Sequence, residues 1–412
     1  MPKSAILSDQ ELALLTSAFQ PEGYSKDRAL ALVAAGAMAM VTEPGDRMAG
    51  ALARSLGRLE LVELLIDGLK TAPVLTALQA AGELESCRHS FGDLESTLAD
   101  SRQRWLPRLS KSRLEHLFTQ SAALDLQLVT AEDNYWPNGL DDLQDSAPAM
   151  LFIQGSSKLQ DLSNAVSIVG SRTASPYGLQ VTNRLVSELA HVFRPTVSGG
   201  AIGIDAQVHT KSVDLDLPTV AVMAGGLDRK YPKSNFALFK RIKQRGALIS
   251  ELPPGVAPTR WRFLQRNRLI AALSPTTVVV EAGIRSGSIR TANNALELDR
   301  ELLAVPGSIF SNTSLGTNGL IADNKAAPLC DLRGFATGKE ENDNAISESA
   351  LAKRAHDAVR ELGYPTESQI AKVAGLTHSE LKQALTELME TNLVLQDRSS
   401  LGMVHYALKY GH

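Results

Sequence analysis

The sequence predicts an α/β protein: a doubly wound, mostly parallel sheet in mid-chain, a helical domain before it, and a small helix-and-hairpin domain after it. Three observations carry that prediction. Short β-branched apolar runs alternate with helical runs from Ala165 to about Pro328. Several of these strands end in glycine-rich turns that lead into helices. The flanks lack the alternation: Ser8 to about Gln120 repeats apolar residues at helical spacing, and Ala352 to His412 reads helix, helix, helix, hairpin.

Taken in order, Ser8 caps a first helix through Glu11-Leu12-Ala13-Leu14-Leu15, Ala29–Met40 forms another, and Leu56–Leu69 a further one before Pro73. This region holds no catalytic constellation and reads as scaffold or protein contact. Leu126–Thr130 and Met150–Ile153 are strands on either side of the corner Tyr135-Trp136-Pro137-Asn138-Gly139. Those two rings suit packing against the next domain better than stacking on a base. The central strands are Val166–Val169, Thr196–Ser198, Thr219–Ala224, Ala247–Ser250, Thr276–Glu281 and Leu302–Val305. Helices at Tyr177–Phe193, Ala206–Leu215, Asn235–Arg245, Arg266–Leu273 and Ser288–Leu298 separate them. Thr337–Ser349 is polar and acidic and reads as a linker. Beyond it, a helix to Leu362, a second from Pro365-Thr366-Glu367 through Val373, a third capped by Thr377 and the strands Leu393–Gln396 and Val404–Leu408 suggest a winged helix. Its third helix carries Glu380, Glu387 and Glu390 beside Lys382, which suits protein contact better than phosphates. The expected domains are therefore 1–125 (helical), 126–330 (core), 331–351 (linker) and 352–412 (winged helix).

Charge is distributed unevenly. Met1–Ser163 holds 14 Lys and Arg against 22 Asp and Glu, whereas Asn164–Cys330 holds 19 against 11, so the core is a basic island in an acidic chain. That asymmetry points to a polyanionic partner. Two cysteines, Cys87 and Cys330, lie far apart and show no ligand pair or disulfide framework, which fits a reducing cytosol, and the eight histidines lack metal-ligand spacing. With no leader-like start and no membrane-spanning run, the expectation is a soluble cytoplasmic protein without metal, cofactor or membrane association.

The glycine turns are Gly170-Ser171-Arg172 after the first core strand, Ser198-Gly199-Gly200-Ala201-Ile202-Gly203 after the second, and Ser286-Gly287-Ser288 beyond Val280. Backbone amides at such turns, backed by helix N-termini, cradle phosphates. No G-x-x-x-x-G-K-[ST] sequence is present, and the single glycine of the first turn disfavours a nicotinamide dinucleotide site. Basic residues gather at the same strand ends: Arg172; Arg229, Lys230 and Lys233; and Arg260, Arg262, Arg266 and Arg268, with Trp261 and Phe263 among them. Cations interleaved with aromatics fit a single-stranded nucleic acid, which needs both charge and stacking faces; the plainer reading is an amphipathic helix with core aromatics.

Read together, Gly170-Ser171-Arg172 with Tyr177-Gly178, Ser198-Gly199-x-Ala201-x-Gly203-Ile204-Asp205 with His209, Gly226-Leu227-Asp228 with Tyr231-Pro232, and Ser250-Glu251 form one ordered set. Arg266-Asn267-Arg268, Glu281-Ala282 with Ser286-Gly287-Ser288, and Val305-Pro306-Gly307 continue it. In this order they resemble the DNA-processing protein A family (DprA, also called Smf), from about Gln127 to Pro328. The resemblance implies an extended Rossmann-like core that binds single-stranded DNA without sequence preference, forms a homodimer and delivers a RecA-type recombinase in natural transformation and recombination. Carried over by position, Gly170, Ser171, Arg172, Ser198, Gly199, Gly203, Lys233, Arg262, Arg266, Asn267, Arg268, Ser286 and Gly287 are the expected DNA-binding residues, with no catalytic residue. Asp205 is expected to cap its helix and His209 to brace the next loop. Gly200 in place of the usual leucine, Phe263-Leu264-Gln265 in place of a Phe-Pro approach, and Asn324-Lys325-Ala326 in place of Gly-Ala depart from the family pattern.

Two other functions compete. The phosphoribohydrolases that activate cytokinins have a related loop followed by a catalytic Glu, but here Ser286-Gly287-Ser288-Ile289-Arg290-Thr291 is followed by Ala292-Asn293-Asn294, with no acid or base in place. A winged-helix transcription factor with a ligand-sensing core would need a less acidic third helix.

Overall fold

The structure is a computed structural model of the 412-residue chain, and it describes all residues except 1–6, 21–22, 156–158, 338–348, 391–392, 399–403 and 409–412. Two compact units result, Met1–Thr337 and Gly338–His412.

The first unit opens with helices α1 (Asp9–Thr16), α2 (Lys26–Val41), α3 (Arg47–Leu56), α4 (Arg58–Ile66), α5 (Thr71–Ala80), α6 (Leu84–Phe91), α7 (Leu94–Trp105) and α8 (Lys111–Ala123). Local chemistry sets their ends. Ser8 and Glu11 form a reciprocal capping box at α1, and Gly57, at φ +84°, breaks the predicted Leu56–Leu69 helix into the end of α3 and the start of α4. Strands β1 (Gln127–Val129) and β2 (Leu151–Gly155) follow, then the alternating core: β3 (Val166–Val169), α9 (Pro176–His191), β4 (Thr196–Ser198), α10 (Ile204–Asp214), β5 (Thr219–Val222), α11 (Phe236–Arg245), β6 (Ala247–Ser250) and α12 (Arg260–Ala272). It continues with β7 (Thr276–Val279), α13 (Gly287–Glu297), β8 (Glu301–Ala304), α14 (Leu315–Ala322), β9 (Ala327–Pro328) and α15 (Leu332–Thr337).

The nine strands form one sheet in the order β1-β2-β6-β5-β4-β3-β7-β8-β9. Pairing is parallel from β6 to β9, and β2 and β1 add antiparallel strands at one edge. This is the expected mostly parallel, doubly wound α/β sheet. Alternate residues face opposite layers: Ile168 and Val278 lie with α9 and α10, whereas Val169 and Val279 lie with α12 and α13. Succession from β3 runs outward through β4, β5 and β6 on one side and then resumes with β7 on the other. The order therefore reverses between β3 and β7, and a crevice opens there beyond the carboxyl ends of the strands.

Two packing features were not apparent from pattern alone. One apolar cluster runs from the N-terminal helices (Leu32, Leu52, Phe118) into the sheet layer at Phe152, Phe239 and Leu248. Helix α15 occupies the beginning of the stretch read as linker: Ala336 is buried in the α9 layer, and Arg194 lies over the Phe335 ring at 4.9 Å while donating to its carbonyl. Residues 338–348 of that linker lie outside the described residues, and its last residues, Ser349 to Leu351, cap and begin the next helix.

The second unit contains α16 (Ala350–Leu362), α17 (Glu367–Ala374), α18 (His378–Glu390) and the antiparallel pair β10 (Val394–Arg398) and β11 (Val404–Leu408), around a core that includes Val359, Ile370, Leu385 and Tyr406. Glu380 accepts from the Thr377 amide at the start of α18, and Glu387 accepts from the Ser349 amide at the start of α16. Those backbone hydrogen bonds hold both carboxyl groups below their ordinary value.

Candidate nucleic-acid interface

The loops that leave the carboxyl ends of the parallel strands are fastened to one another. The Ser288 hydroxyl donates to the Gly170 carbonyl at 2.8 Å, joining the loops after β7 and β3, and the Ile204 amide donates to Ser171 O at 3.1 Å, joining those after β4 and β3. Glu281, 2% exposed, accepts from the Ser175 amide at 2.9 Å, the Ser175 hydroxyl and the Thr313 hydroxyl at 3.2 Å. Ser175 in turn caps α9 through the Gly178 amide. Asn235 Nδ2 donates to the carbonyls of Gly200 and Ala201. Gly200 has φ +66°, a backbone region in which leucine is strained, which accounts for the first departure from the family pattern. Asn324 sits at φ +54° for the same reason, Asn being among the residues most tolerant of that region.

Beneath this layer lies a buried charged group. Arg266, 5% exposed, donates to Gly199 O at 2.6 Å, to Val222 O, and to Asn267 Oδ1 at 3.3 Å. A Cβ on Gly199 would stand 2.6 Å from the guanidinium, so only glycine allows the approach. Burial pulls Arg266 down to about 10, with Asp205 opposing and Arg172 reinforcing the shift. Burial raises Asp205, against the pull of Arg266, the amides of Ala201 and Gly199 and the Ser198 hydroxyl. Burial and then Arg266 push His209 down to about 3, so its ring is neutral; Nδ1 pairs with Thr219 Oγ1 at 2.8 Å. The expectation for these two residues needs correction. Asp205 lies inside the first turn of α10, whose N-cap is Gly203, and reaches back to the Ala201 amide at 3.4 Å; His209 braces strand β5 rather than a loop. Helix propensity suggested the cap, but the carboxylate turns back to the amides of the glycine loop before the helix.

The expected site residues divide into two groups. Turned inward are Ser198, whose hydroxyl donates to Ile168 O at 2.7 Å, and Arg266. Arg268 is also inward, paired through both terminal nitrogens with Glu251 at 2.9 and 2.6 Å; both side chains are 8% exposed. Asn267 donates to Gly287 O at 3.2 Å, and Arg262 pairs with Glu43 of the α2–α3 turn at 2.9 Å. Gly170, Gly199 and Gly203 form the loop backbones, Ser171 holds the Thr173 amide, and Ser286 caps α13 with Gly287 exposed at its first position. Turned outward are Arg172, 5.5 Å over the Phe263 ring, and Lys233; neither has a carboxylate partner among the described residues. Exposed Arg260 and Arg285 share that property, and Arg285 was missed although it adjoins Ser286. Tyr231 and Trp261, 50% and 55% exposed, stand between these cations, with Tyr231 edge-on to Phe263 at 5.7 Å. Lys230 and Arg229 are engaged locally by Leu227 O and Asp228. Among the described residues no group of His, Cys, Asp and Glu could hold a metal ion, and no helix is long and apolar enough to cross a membrane.

The sequence profile of the family described as DNA recombination-mediator protein A matches residues 127–337, the whole of the sheet and its helices. The chain belongs to that family. The putative DNA processing protein DprA of Mycobacterium tuberculosis H37Rv is 42% identical over 206 residues, which cover 47% of this chain and 53% of the relative. DNA processing protein DprA of Bacillus subtilis is 37% identical over 196 residues, 48% of this chain and 66% of the relative. The chain thus spans about half to two thirds of the length of these curated relatives. Among solved structures, the X-ray structure of DNA processing protein A from Streptococcus pneumoniae aligns with TM-score 0.57 and 27% identity, covering 74% of this chain and 96% of that one.

Proposed function

We propose that the carboxyl edge of the sheet is a track for single-stranded DNA, and that the protein acts as a DNA-processing factor without catalysis of its own. One observation carries this reading: Arg172, Lys233, Arg260 and Arg285 are exposed without carboxylate partners among the described residues, accompany exposed Tyr231 and Trp261, and stand on the loops and helix starts that follow the parallel strands. Cations for a backbone and ring faces for unpaired bases are what a sequence-independent strand binder requires. In this reading Arg172 and Lys233 touch phosphates and the amides around Gly170, Ser171, Gly203 and Gly287 supply further donors. Ser198, Arg262, Arg266, Asn267 and Arg268 hold the loops in place. Glu281 is fully engaged by Ser175 and Thr313, so it is a fastening group rather than an acid or base, and the hydrolase alternative gains no support.

The finer parts rest on family membership. They are protection of incoming or exposed single strands, loading of a RecA-type recombinase, a homodimer, and action in the cytoplasm during transformation or recombination. The chain is divided accordingly into a helical domain (1–125), the binding core (126–330), a linker (331–351) and a winged helix (352–412). For the last, the ionised Glu380 and Glu387 favour protein contact over DNA. The test is fluorescence anisotropy with a labelled single-stranded oligonucleotide across a salt series, with an equal-length duplex and a mononucleotide as competitors. A single-strand preference that weakens steeply with salt and is largely lost in Arg172→Ala is expected. Preferential displacement by the mononucleotide, independent of strand length, would overturn the track.

A further inference from the structure

Between Ser101 and Arg113 the sequence places Arg102, Arg104, Arg108, Lys111 and Arg113, five cations in thirteen residues with no carboxylate. Such a run is unexpected in an N-terminal segment that is otherwise strongly acidic. It covers the last turn of α7, the short Leu106–Arg108 turn and the start of α8. A single turn, Glu43 to Asp46, separates it from α12. On one side Arg108 Nη1 approaches Glu43 Oε1 at 3.1 Å and Arg104 Nη1 approaches Asp46 Oδ2 at 3.5 Å. On the other, Arg262 Nη2 reaches the same Glu43 Oε1 at 2.9 Å, and Gly45 lies against Gln265 and Arg268. Trp105, 1% exposed, anchors the arrangement by donating to Asp46 Oδ2 at 2.9 Å. Arg113 continues the row by donating to Arg108 O at 3.4 Å.

We propose that this row is a second stretch of nucleic-acid-binding surface, so that a single strand leaving the sheet edge at Arg260 passes Arg262 and Arg108 and continues over Arg104 and Arg113. The inference rests on the track proposed above and extends it to residues outside the family match, which begins at 127. The geometry supplies the continuity. Two guanidiniums from separate layers share one carboxylate oxygen, so the pair keeps a net positive charge and unfilled donors that a bridging phosphate can take. Arg104 and Arg113 are exposed, and Arg113 has no carboxylate partner among the described residues. Glu43 restrains the two arginines in the free protein. Burial raises its pKa, but hydrogen bonds and charge from Arg262, and then Arg108, outweigh that and hold it below its ordinary value. It is therefore ionised at neutral pH and competes with phosphate for both cations.

The test compares oligothymidylates of about 6 and about 20 nucleotides, chosen because one binding fold covers roughly 4–16 nucleotides. Anisotropy is measured on the full chain with Arg104→Glu/Arg113→Glu, Glu43→Gln and Arg172→Ala. The charge-reversal variant is expected to bind the long strand about tenfold or more weakly, with a salt slope shallower by about 0.7 for each phosphate no longer neutralised, and the short strand as well as wild type. Glu43→Gln is expected to tighten the long strand only, and Arg172→Ala to weaken both. Wild-type affinity and slope for the long strand in the charge-reversal variant would overturn this proposal while leaving the sheet-edge track intact. Equal losses on both lengths, with unchanged thermal unfolding, would also overturn it. Failure of the wild-type chain to bind either strand would refute the sheet-edge reading itself, and this one with it.

Discussion

Arg266→Met tests whether this arginine acts as an internal fastening rather than as a DNA contact. Methionine keeps the apolar stem but lacks the guanidinium and with it every donor. The carbonyls of Gly199 and Val222 lose their shared partner, and Asp205, 6% exposed, loses the positive charge that opposes its desolvation. Each of the two orphaned buried acceptors costs about 1–3 kcal/mol, and Asp205 is left to bear its desolvation without the nearby positive charge. A loss of about 4 kcal/mol at pH 7.5 is therefore expected. The three tryptophans, Trp105, Trp136 and Trp261, all lie in the first unit, so urea unfolding followed by their fluorescence reports that unit alone. The pH dependence has a definite sign. Asp205 has a folded-state pKa above its unfolded value, so the folded state binds the extra proton and the penalty is relieved as pH falls. Without Arg266 that relief begins at higher pH, so the deficit is smaller at pH 5 than at 7.5, and Asp205→Asn in the Met background recovers part of it. A loss under about 1 kcal/mol, or the same loss at both pH values, would refute this account and return Arg266 to the DNA surface.

Three further outcomes are expected. His209 is pushed down to about 3 against 6.5 unfolded, so the unfolded chain takes up its proton first as pH falls; wild type loses stability relative to His209→Leu by about 1.4 kcal/mol per pH unit below 6.5. Parallel urea curves at pH 7 and 5 would contradict that. Arg268→Met should destabilise by about 3–5 kcal/mol through stranded Glu251, and Arg268→Met/Glu251→Leu should regain most of it, as measured by the same unfolding assay. Trp261→Ala should weaken single-strand binding by about 1–3 kcal/mol with little change in salt slope, whereas Arg172→Ala should reduce the slope; anisotropy separates the two.

The alternation of strands and helices was legible because each core strand is a short apolar run and several of the following helices carry their own start signal, as Ser175-Pro176 does for α9, Thr259 for α12 and Ser286 for α13. The loops at the crevice were legible for a related reason, since glycine is demanded by backbone geometry that sequence displays directly. The roles of the arginines were not. Arg262, Arg266 and Arg268 share one helix and one composition, yet their partners are Glu43, the Gly199 carbonyl and Glu251, the first of them 219 positions away in sequence. Charge pattern identifies a basic surface but cannot identify which cations are neutralised by distant acids. Asp205 was misjudged because its carboxylate faces the amide of Ala201 in the preceding glycine loop rather than the amides of the helix start. Helix α15 was hidden because it is a single six-residue stretch whose apolar contacts are Leu332, Phe335 and Ala336, too short to show a helical period.

The fastening at Glu281 has a thermodynamic consequence. A loop that must be ordered on binding draws on the free energy of association, whereas loops already joined through Ser175, Thr313 and Ser288 have little freedom left to lose. The ordering cost then falls almost wholly on the ligand. On the proposed track a limp strand such as oligothymidylate surrenders chain entropy as it is laid down, and a pre-stacked oligoadenylate surrenders stacking as well. On the reading proposed above, strands are told apart by the stacking and chain freedom they surrender, even where no side chain reads a base.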